Sequence, residues 1–271
     1  MSDNVQILAE AIEGVGDGFF LVVTGAGISL ASGIPTFRGS DPDAVWKRDV
    51  TELGTFHYFQ EDPLGSWQWY MQRFEKVLGA QPNPAHEALV ALERWQLGRG
   101  GRYLLVTQNI DTLHRAAGAS ELVEVHGRAD RVRCPVDGCR HGAPYGSLPR
   151  ADFDLTRLQT EPSIDALPRC PECGTILRQH VLWFDEVYTG HEDYQWLRVQ
   201  AAASAMRLVL FVGTSFAVGV TELFVQQGLL GRVPIYSIDP GATEPPYPGI
   251  QVLADKAEEL LPAVCERLGA T

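Results

Sequence analysis

The sequence predicts an α/β fold built on a parallel sheet with a smaller module inserted, and three observations point there. Short apolar runs without polar alternation recur along the chain, as parallel strands covered on both faces require. Helical stretches lie between many of these runs. Two other stretches break the rhythm and carry no buried-strand pattern.

Taken in order, the N-terminus MSDNVQILAEAIEG is acidic and alternates polar with apolar residues, without the basic start and apolar stretch of a secretory signal. The first apolar run is Phe19-Phe20-Leu21-Val22-Val23-Thr24, which passes directly into Gly25-Ala26-Gly27. Further runs fall at 103–107, 122–125, 208–213, 234–238 and 250–253, with helical stretches at 84–97, 109–117, 221–230 and 255–268. The first interruption, about 39–81, holds Trp46, Trp67, Trp69, Tyr70 and Phe74. The second, about 128–179, holds four cysteines, several prolines and little periodicity. The expected division is a large discontinuous domain of 1–38, 82–127 and 180–271. Beside it, a helical module of 39–81 and a zinc-binding module of 128–179 form a small domain.

A chain of 271 residues can bury a substantial core. Hydrophobic content of 45% with 21% charged residues is ordinary for a soluble enzyme. No run of eighteen or more apolar residues is present, so a cytoplasmic protein without a membrane partner is expected. The net charge of -12 weighs against nucleic acid as a partner, because non-specific binding runs on neutralising phosphates with Lys and Arg. That charge suits a basic protein substrate, and it equally serves solubility.

Cys134-Pro-Val-Asp-Gly-Cys139 and Cys170-Pro-Glu-Cys173 form two knuckles about thirty residues apart. A short Cys-loop-Cys turn delivers two thiolates from adjacent backbone, and zinc takes four tetrahedral ligands. With Cys134, Cys139, Cys170 and Cys173 filling every position, no place is left for a catalytic water. One structural Zn²⁺ per chain is expected, holding the small domain together. Cys265 shares a terminal helix with Leu261, Val264 and Leu268 and reads as plain core.

Gly25-Ala26-Gly27-Ile28-Ser29 follows a strand, and glycines there let backbone N–H groups approach a pyrophosphate. Position 30 is Leu where a third glycine is usual, so this loop alone specifies little. The longer run through Ser32-Gly33-Ile34-Pro35-Thr36-Phe37-Arg38 resembles the first signature of the sirtuin (Sir2) family. Gln108-Asn109-Ile110-Asp111 resembles the second and Val125-His126-Gly127 the third; the cysteine pairs fall at that family's zinc ribbon, and Gly213-Thr214-Ser215 at its ribose-contacting motif.

The resemblance covers essentially the whole chain. It implies a Rossmann-like NAD-binding domain with a zinc ribbon and a helical module forming the small domain. It implies an NAD-dependent protein lysine deacylase, which consumes NAD as co-substrate and releases nicotinamide and O-acyl-ADP-ribose. Acylated lysine side chains of proteins would be its partners, and a monomer is expected. By position, Gly25, Ala26, Gly27, Ser29, Phe37, Arg38, Gly213, Thr214, Ser215, Ser237 and Lys256 would contact NAD. Gln108, Asn109, Ile110 and Asp111 would line the nicotinamide pocket. His126 would be the base, helped by Asn109, with an ordinary pKa near 6.5 that suits proton transfer at neutral pH. The residues alone leave Asp111 open between helix capping and a nicotinamide contact.

The segment Arg178-Gln179-His180-Val181-Leu182-Trp183-Phe184-Asp185-Glu186 resembles the family's substrate strand, which adds the peptide as another strand. Val181 and Phe184 would flank the acyl-lysine tunnel. Asp185 departs from the family's usual Gly and puts a charge beside the peptide track. Gly219-Val220-Thr221 and Ser237 also depart from the pattern. Tyr70 and Arg73 stand three apart in the helical stretch 66–78 and share a face. An ordinary amphipathic helix accounts for that spacing. The family branch that removes succinyl and malonyl groups also carries Tyr-x-x-Arg here, with Thr36 and a small residue near Gly54, so an acidic-acyl preference is expected. Plain deacetylation, mono-ADP-ribosyl transfer and a non-catalytic NAD sensor are the alternatives.

Overall fold

The computed structural model describes residues 3–36, 50–242 and 244–270. Its main sheet is built from the apolar runs: β1 (Phe19–Thr24), β2 (Arg102–Thr107), β3 (Leu122–Glu124), and later β7, β8 and β9 at Leu208–Val212, Ile235–Ile238 and Ile250–Leu253. Among the described residues the strand order is β3-β2-β1-β7-β8-β9, with every neighbouring pair parallel. This is the order of a doubly wound dinucleotide-binding sheet, and it reverses direction between β1 and β7. Ligands collect in such sheets beyond the carboxyl ends of the strands at that point.

The missing alternation in the strands has a packing cause. Phe20 and Val22 join one core with α1 (Asp3–Glu13), α5 (Pro84–Gly98) and α10 (Ala257–Leu268). Leu21 and Val23 join a second core on the opposite face with α8 (Trp196–Ala205) and α9 (Gly219–Gly231). Both parities are therefore buried, and each fully enclosed Val, Leu or Phe contributes about 1.5–3 kcal/mol of transfer free energy.

Three local differences from the sequence reading stand out. The N-terminus is helix α1, with Val5, Leu8, Ala9 and Ile12 buried at helical spacing rather than strand-like alternation. The stretch 109–117 becomes helical only as α6 (Leu113–Ala117), because Thr112 takes φ 64° and Asp111 Oδ1 accepts the Leu113 N–H at 3.0 Å. The second interruption, read as aperiodic, contains a three-stranded antiparallel sheet in the order β5-β4-β6. Its strands are β4 (Gly127–Arg133), β5 (Leu148–Pro149) and β6 (Arg178–Val181). A short helix, α7 (Thr156–Thr160), lies between β5 and β6.

The first interruption supplies α2 (Val50–Leu53), α3 (Phe56–Glu61) and α4 (Pro63–Leu78), whereas Phe37, Arg38 and Trp46 lie outside the described residues. Phe59, Trp67 and Phe74 from these helices share a third core with Val132, Leu177 and Trp183. The two interruptions thus pack on each other. Cys265 sits in the first core, its thiol donating to the Ala88 carbonyl, as its helical neighbours predict. No described helix is long and apolar enough to cross a membrane.

Candidate active site and metal centre

The switch point is closed by two loops that nearly touch. The Gly25 N–H donates to the Val212 carbonyl at 3.0 Å and the Gly27 N–H to the Gly213 carbonyl at 2.8 Å. A Cβ on Gly27 would lie 2.6 Å from Gly213 Cα, and one on Gly213 would lie 2.4 Å from the Ile28 nitrogen. Gly213 also holds φ +59°, a conformation that disfavours side chains. The glycines thus answer to loop-on-loop contact as well as to any ligand. Gly213→Ala combines strain with a backbone clash, a cost on the order of 1–3 kcal/mol. It is expected to lower Tm and weaken NAD binding about tenfold, checked by thermal melting and calorimetry; unchanged values in both would show that the loops can part.

Beyond β2, the side chains of 108–111 are held by backbone and by their neighbours. Gln108 Nε2 donates to the Thr24 carbonyl and to Thr214 Oγ1, each at 3.2 Å. Asn109 Nδ2 donates to the Gly25 carbonyl and to Ser29 Oγ, each at 3.1 Å, and Ser29 Oγ donates to Asp111 Oδ2 at 2.7 Å. Asp111 therefore both caps α6 and anchors the first loop. Burial pushes its pKa up while the donors from Leu113 and Ser29 oppose the shift. Ile110 packs against the third core.

Behind this floor runs a polar layer that sequence reasoning missed. Thr24 Oγ1 donates to Thr107 Oγ1 at 2.9 Å and lies 2.9 Å from His114 Nε2. Asn83 holds the Ile28 carbonyl at 2.7 Å and caps α5. No spacing rule marks these residues, because they converge only after the sheet forms.

His126 follows β3 and is half-buried. Its Nδ1 lies 2.8 Å from the Gln108 carbonyl oxygen. A carbonyl only accepts, so Nδ1 carries the proton and Nε2 is left with the lone pair. Nε2 lies 3.4 Å from the Tyr188 hydroxyl, and the two rings stack at 5.9 Å. Tyr188 in turn stacks on Trp196 at 4.3 Å. Tyr188 is a further residue the sequence did not reveal. Burial holds the His126 pKa below its ordinary value, opposed by the Gln108 hydrogen bond.

On the other side of His126, Gly127 pairs with Val181 in the small sheet, and the Leu182 N–H donates to the His126 carbonyl at 2.8 Å. Val181 is buried and Phe184 is exposed. Asp185 does not hang freely beside this segment: its carboxylate accepts the N–H groups of Phe56 at 2.8 Å and His57 at 3.1 Å, capping α3. Tyr70 is buried and stacks on Trp183 at 6.2 Å. Arg73 lies over the Trp69 ring at 3.9 Å and donates to the Trp69 carbonyl at 2.9 Å. Arg178 is fully enclosed against Trp183, with Glu186 accepting from it and from Arg133.

Thr214 is buried at the floor and Ser215 is exposed beside it. Ser237 is buried in β8, whereas Lys256 is exposed and pairs with Glu259 at 3.1 Å. These last two therefore belong to the β8–β9 side of the switch point. Ala26 begins the 3-10 turn Ala26–Ser32, which ends at Gly33 with φ 81°.

The four cysteines converge as their spacing predicts. Cys134 and Cys173 Sγ are 3.5 Å apart and Cys139 and Cys170 Sγ are 3.7 Å apart, too far for disulfides. Four sulfurs about 2.3 Å from one tetrahedral zinc ion lie about 3.8 Å from each other, so the tetrad fits that ion. Gly138 and Gly174 take φ 76° and 73°, as the knuckles require. The tetrad can hold one structural zinc ion and supplies no open position for chemistry.

Comparison with known proteins agrees with this geometry. The model of the Sir2 family matches residues 25–220. An NAD-dependent protein deacylase of Thermus thermophilus is 43% identical over 195 residues, 72% of this chain and 68% of that protein. One of Pyrococcus furiosus is 36% identical over 251 residues, 92% of each chain. Among solved structures, a Sir2 homologue in complex with NAD superposes with a TM-score of 0.74 at 32% identity, covering 97% of this chain and 94% of that one.

Proposed function

Since the chain belongs to the Sir2 family and is an NAD-dependent protein deacylase, we propose that it prefers lysines bearing short acidic acyl groups such as succinyl or malonyl. The single observation that carries the catalytic part is His126, whose lone-pair nitrogen faces away from the Gln108 carbonyl at the carboxyl edge of the sheet. In this reading NAD lies over the Gly25–Gly27 and Gly213 loops, and Gln108, Asn109 and Asp111 receive nicotinamide. The acyl-lysine adds along Val181 and Phe184. Nicotinamide leaves the ribose as the acyl oxygen bonds to it; His126 Nε2 then takes a proton from a ribose hydroxyl, which accepts the acyl group as the lysine amine departs. Proton transfer by a positioned base of this kind contributes about 10²–10⁴-fold. Arg38 and Phe37, Ser237 and Lys256 are assigned to NAD on family position alone.

The same reading divides the chain into an NAD-binding domain of 1–38, 82–127 and 180–271 and a small domain of 39–81 and 128–179. The separate third core supports the division, although β6 carries its pairing two residues past that boundary, to Val181.

For the acyl preference, the support is the clustering of Tyr70, Arg73 and Trp183 beside the substrate strand. Arg178 is the other cation acting on the Tyr70 hydroxyl, and Glu186 already takes its guanidinium. Arg73 also acts on that hydroxyl, and a carboxylate is a strong acceptor for a guanidinium because such hydrogen bonds are charge-assisted. Arg73→Met is expected to reduce desuccinylation about tenfold or more relative to deacetylation, with the fold unchanged. A panel of acetyl-, succinyl- and malonyl-lysine peptides with NAD tests this. An unaltered succinyl-to-acetyl ratio would remove the carboxylate clamp and leave the deacylase.

A further inference from the structure

Away from the cleft floor and the cysteines, a third group of chemistry-bearing side chains converges. His180 lies on β6, is 0% exposed, and neither of its ring nitrogens has a hydrogen-bond partner of ordinary geometry. Its Nε2 sits 3.0 Å from Asp193 Oδ2. His191 is also buried, and its Nδ1 lies 3.8 Å from the same oxygen. The two imidazoles meet edge to face at 4.6 Å, and one ligand atom from each of the three residues lies within 4.8 Å of the others. A buried imidazole this near a carboxylate, yet out of line for a good hydrogen bond, calls for an explanation.

The separations fit a shared ion. Ligands about 2.1 Å from one metal lie roughly 3–4 Å apart, which brackets the two measured distances. His191 Nε2 is 3.1 Å from the Gly146 carbonyl and must donate to it, so Nδ1 keeps the lone pair. A ligating histidine commonly has such a carbonyl behind it, fixing its tautomer. Two imidazoles and a carboxylate are donors that divalent transition metals take. Asp193 is 45% exposed, which gives an ion entry and leaves positions for water.

Two contacts compete. The Asp193 N–H points at His191 Nδ1 at 3.1 Å, and Ser147 Oγ donates to Asp193 Oδ2 at 3.3 Å. An ion held by His191 Nδ1 and Asp193 Oδ2 would have to displace both. Arg133 raises the local positive potential, but its guanidinium is paired with Glu186 at 2.7 Å.

The geometry points to a second metal site, separate from the cysteine tetrad, in which His180, His191 and Asp193 bind a divalent transition ion. Such an ion ties β6 to the segment that follows Tyr188, the residue stacked on His126. The test uses untagged, zinc-loaded full-length protein titrated with Co²⁺ alone at neutral pH. One further equivalent is expected, giving a visible d–d band without a new thiolate charge-transfer band. His191→Ala, and independently the milder Asp193→Asn, should weaken that binding at least about tenfold while the cysteine-bound zinc stays. Wild-type binding weaker than about 1 mM would overturn the site. So would equal binding by the folded Asp193→Asn variant, or a spectrum showing cobalt on thiolate.

Discussion

Replacing His126 with alanine is expected to lower NAD-dependent turnover of an acyl-lysine peptide by about 10²–10⁴-fold while NAD affinity changes little. The argument rests on which nitrogen is occupied. The Gln108 carbonyl fixes the proton on Nδ1, so the imidazole reaches the cleft as an acceptor, with only the long 3.4 Å approach of Tyr188 against it. Of the residues that close the floor, Gly27 bonds to Gly213 and Gly25 to Val212, whereas the His126 ring meets Gln108 and Tyr188. Alanine therefore removes the base and leaves the nucleotide loops standing. Calorimetry for NAD and a peptide assay separate the two effects. Full turnover in the alanine variant would show that some other group takes the proton.

The same environment sets the pH dependence. Only neutral imidazole can act as the base, so the rate falls as pH drops through the His126 pKa. Burial favours the neutral form and moves that pKa below its usual value near 6.5. The acid limb of kcat/KM is thus expected below about 6.5, and Tyr188→Phe, which removes the hydroxyl beside Nε2, should displace it.

What could be read in advance follows physical lines. The parallel strands were legible because both faces of each are buried, which erases alternation in runs such as Phe19–Thr24. The tetrad was legible because zinc fixes both ligand type and spacing, and the structure brings all four sulfurs together. Helix α1 was not, since an amphipathic helix read over a short window resembles alternation. The late start of α6 was hidden for another reason: the Asp111 side chain caps it from within a loop whose path the Ser29 hydroxyl helps to set. Tyr188, Thr107 and His114 carry no sequence signal at all; they matter by where the sheet places them. Asp185, which reads as a stray charge on the peptide track, is engaged with the amides of Phe56 and His57.

Cys170→Ser is expected to abolish zinc retention and, with it, the folded small module. Structural zinc contributes an apparent 10–16 kcal/mol or so in isolated zinc-finger peptides, whereas a whole domain is stable by only about 5–15 kcal/mol. Losing one thiolate therefore outweighs what the third core can supply. The consequences should be uneven across the chain. Strands β1, β2 and β7, which form the nucleotide floor, carry no cysteine and depend on two other cores. Val181, which the peptide would line up against, belongs to the sheet that the knuckles bracket. Zinc content and peptide turnover should thus fall together, while much of the far-ultraviolet dichroism and some NAD affinity persist. Cys265→Ser provides the control, because that thiol lies in the first core against Ala88 and should leave zinc in place. If Cys170→Ser kept a full equivalent of zinc and normal turnover, the tetrad would not be what holds the substrate strand in position.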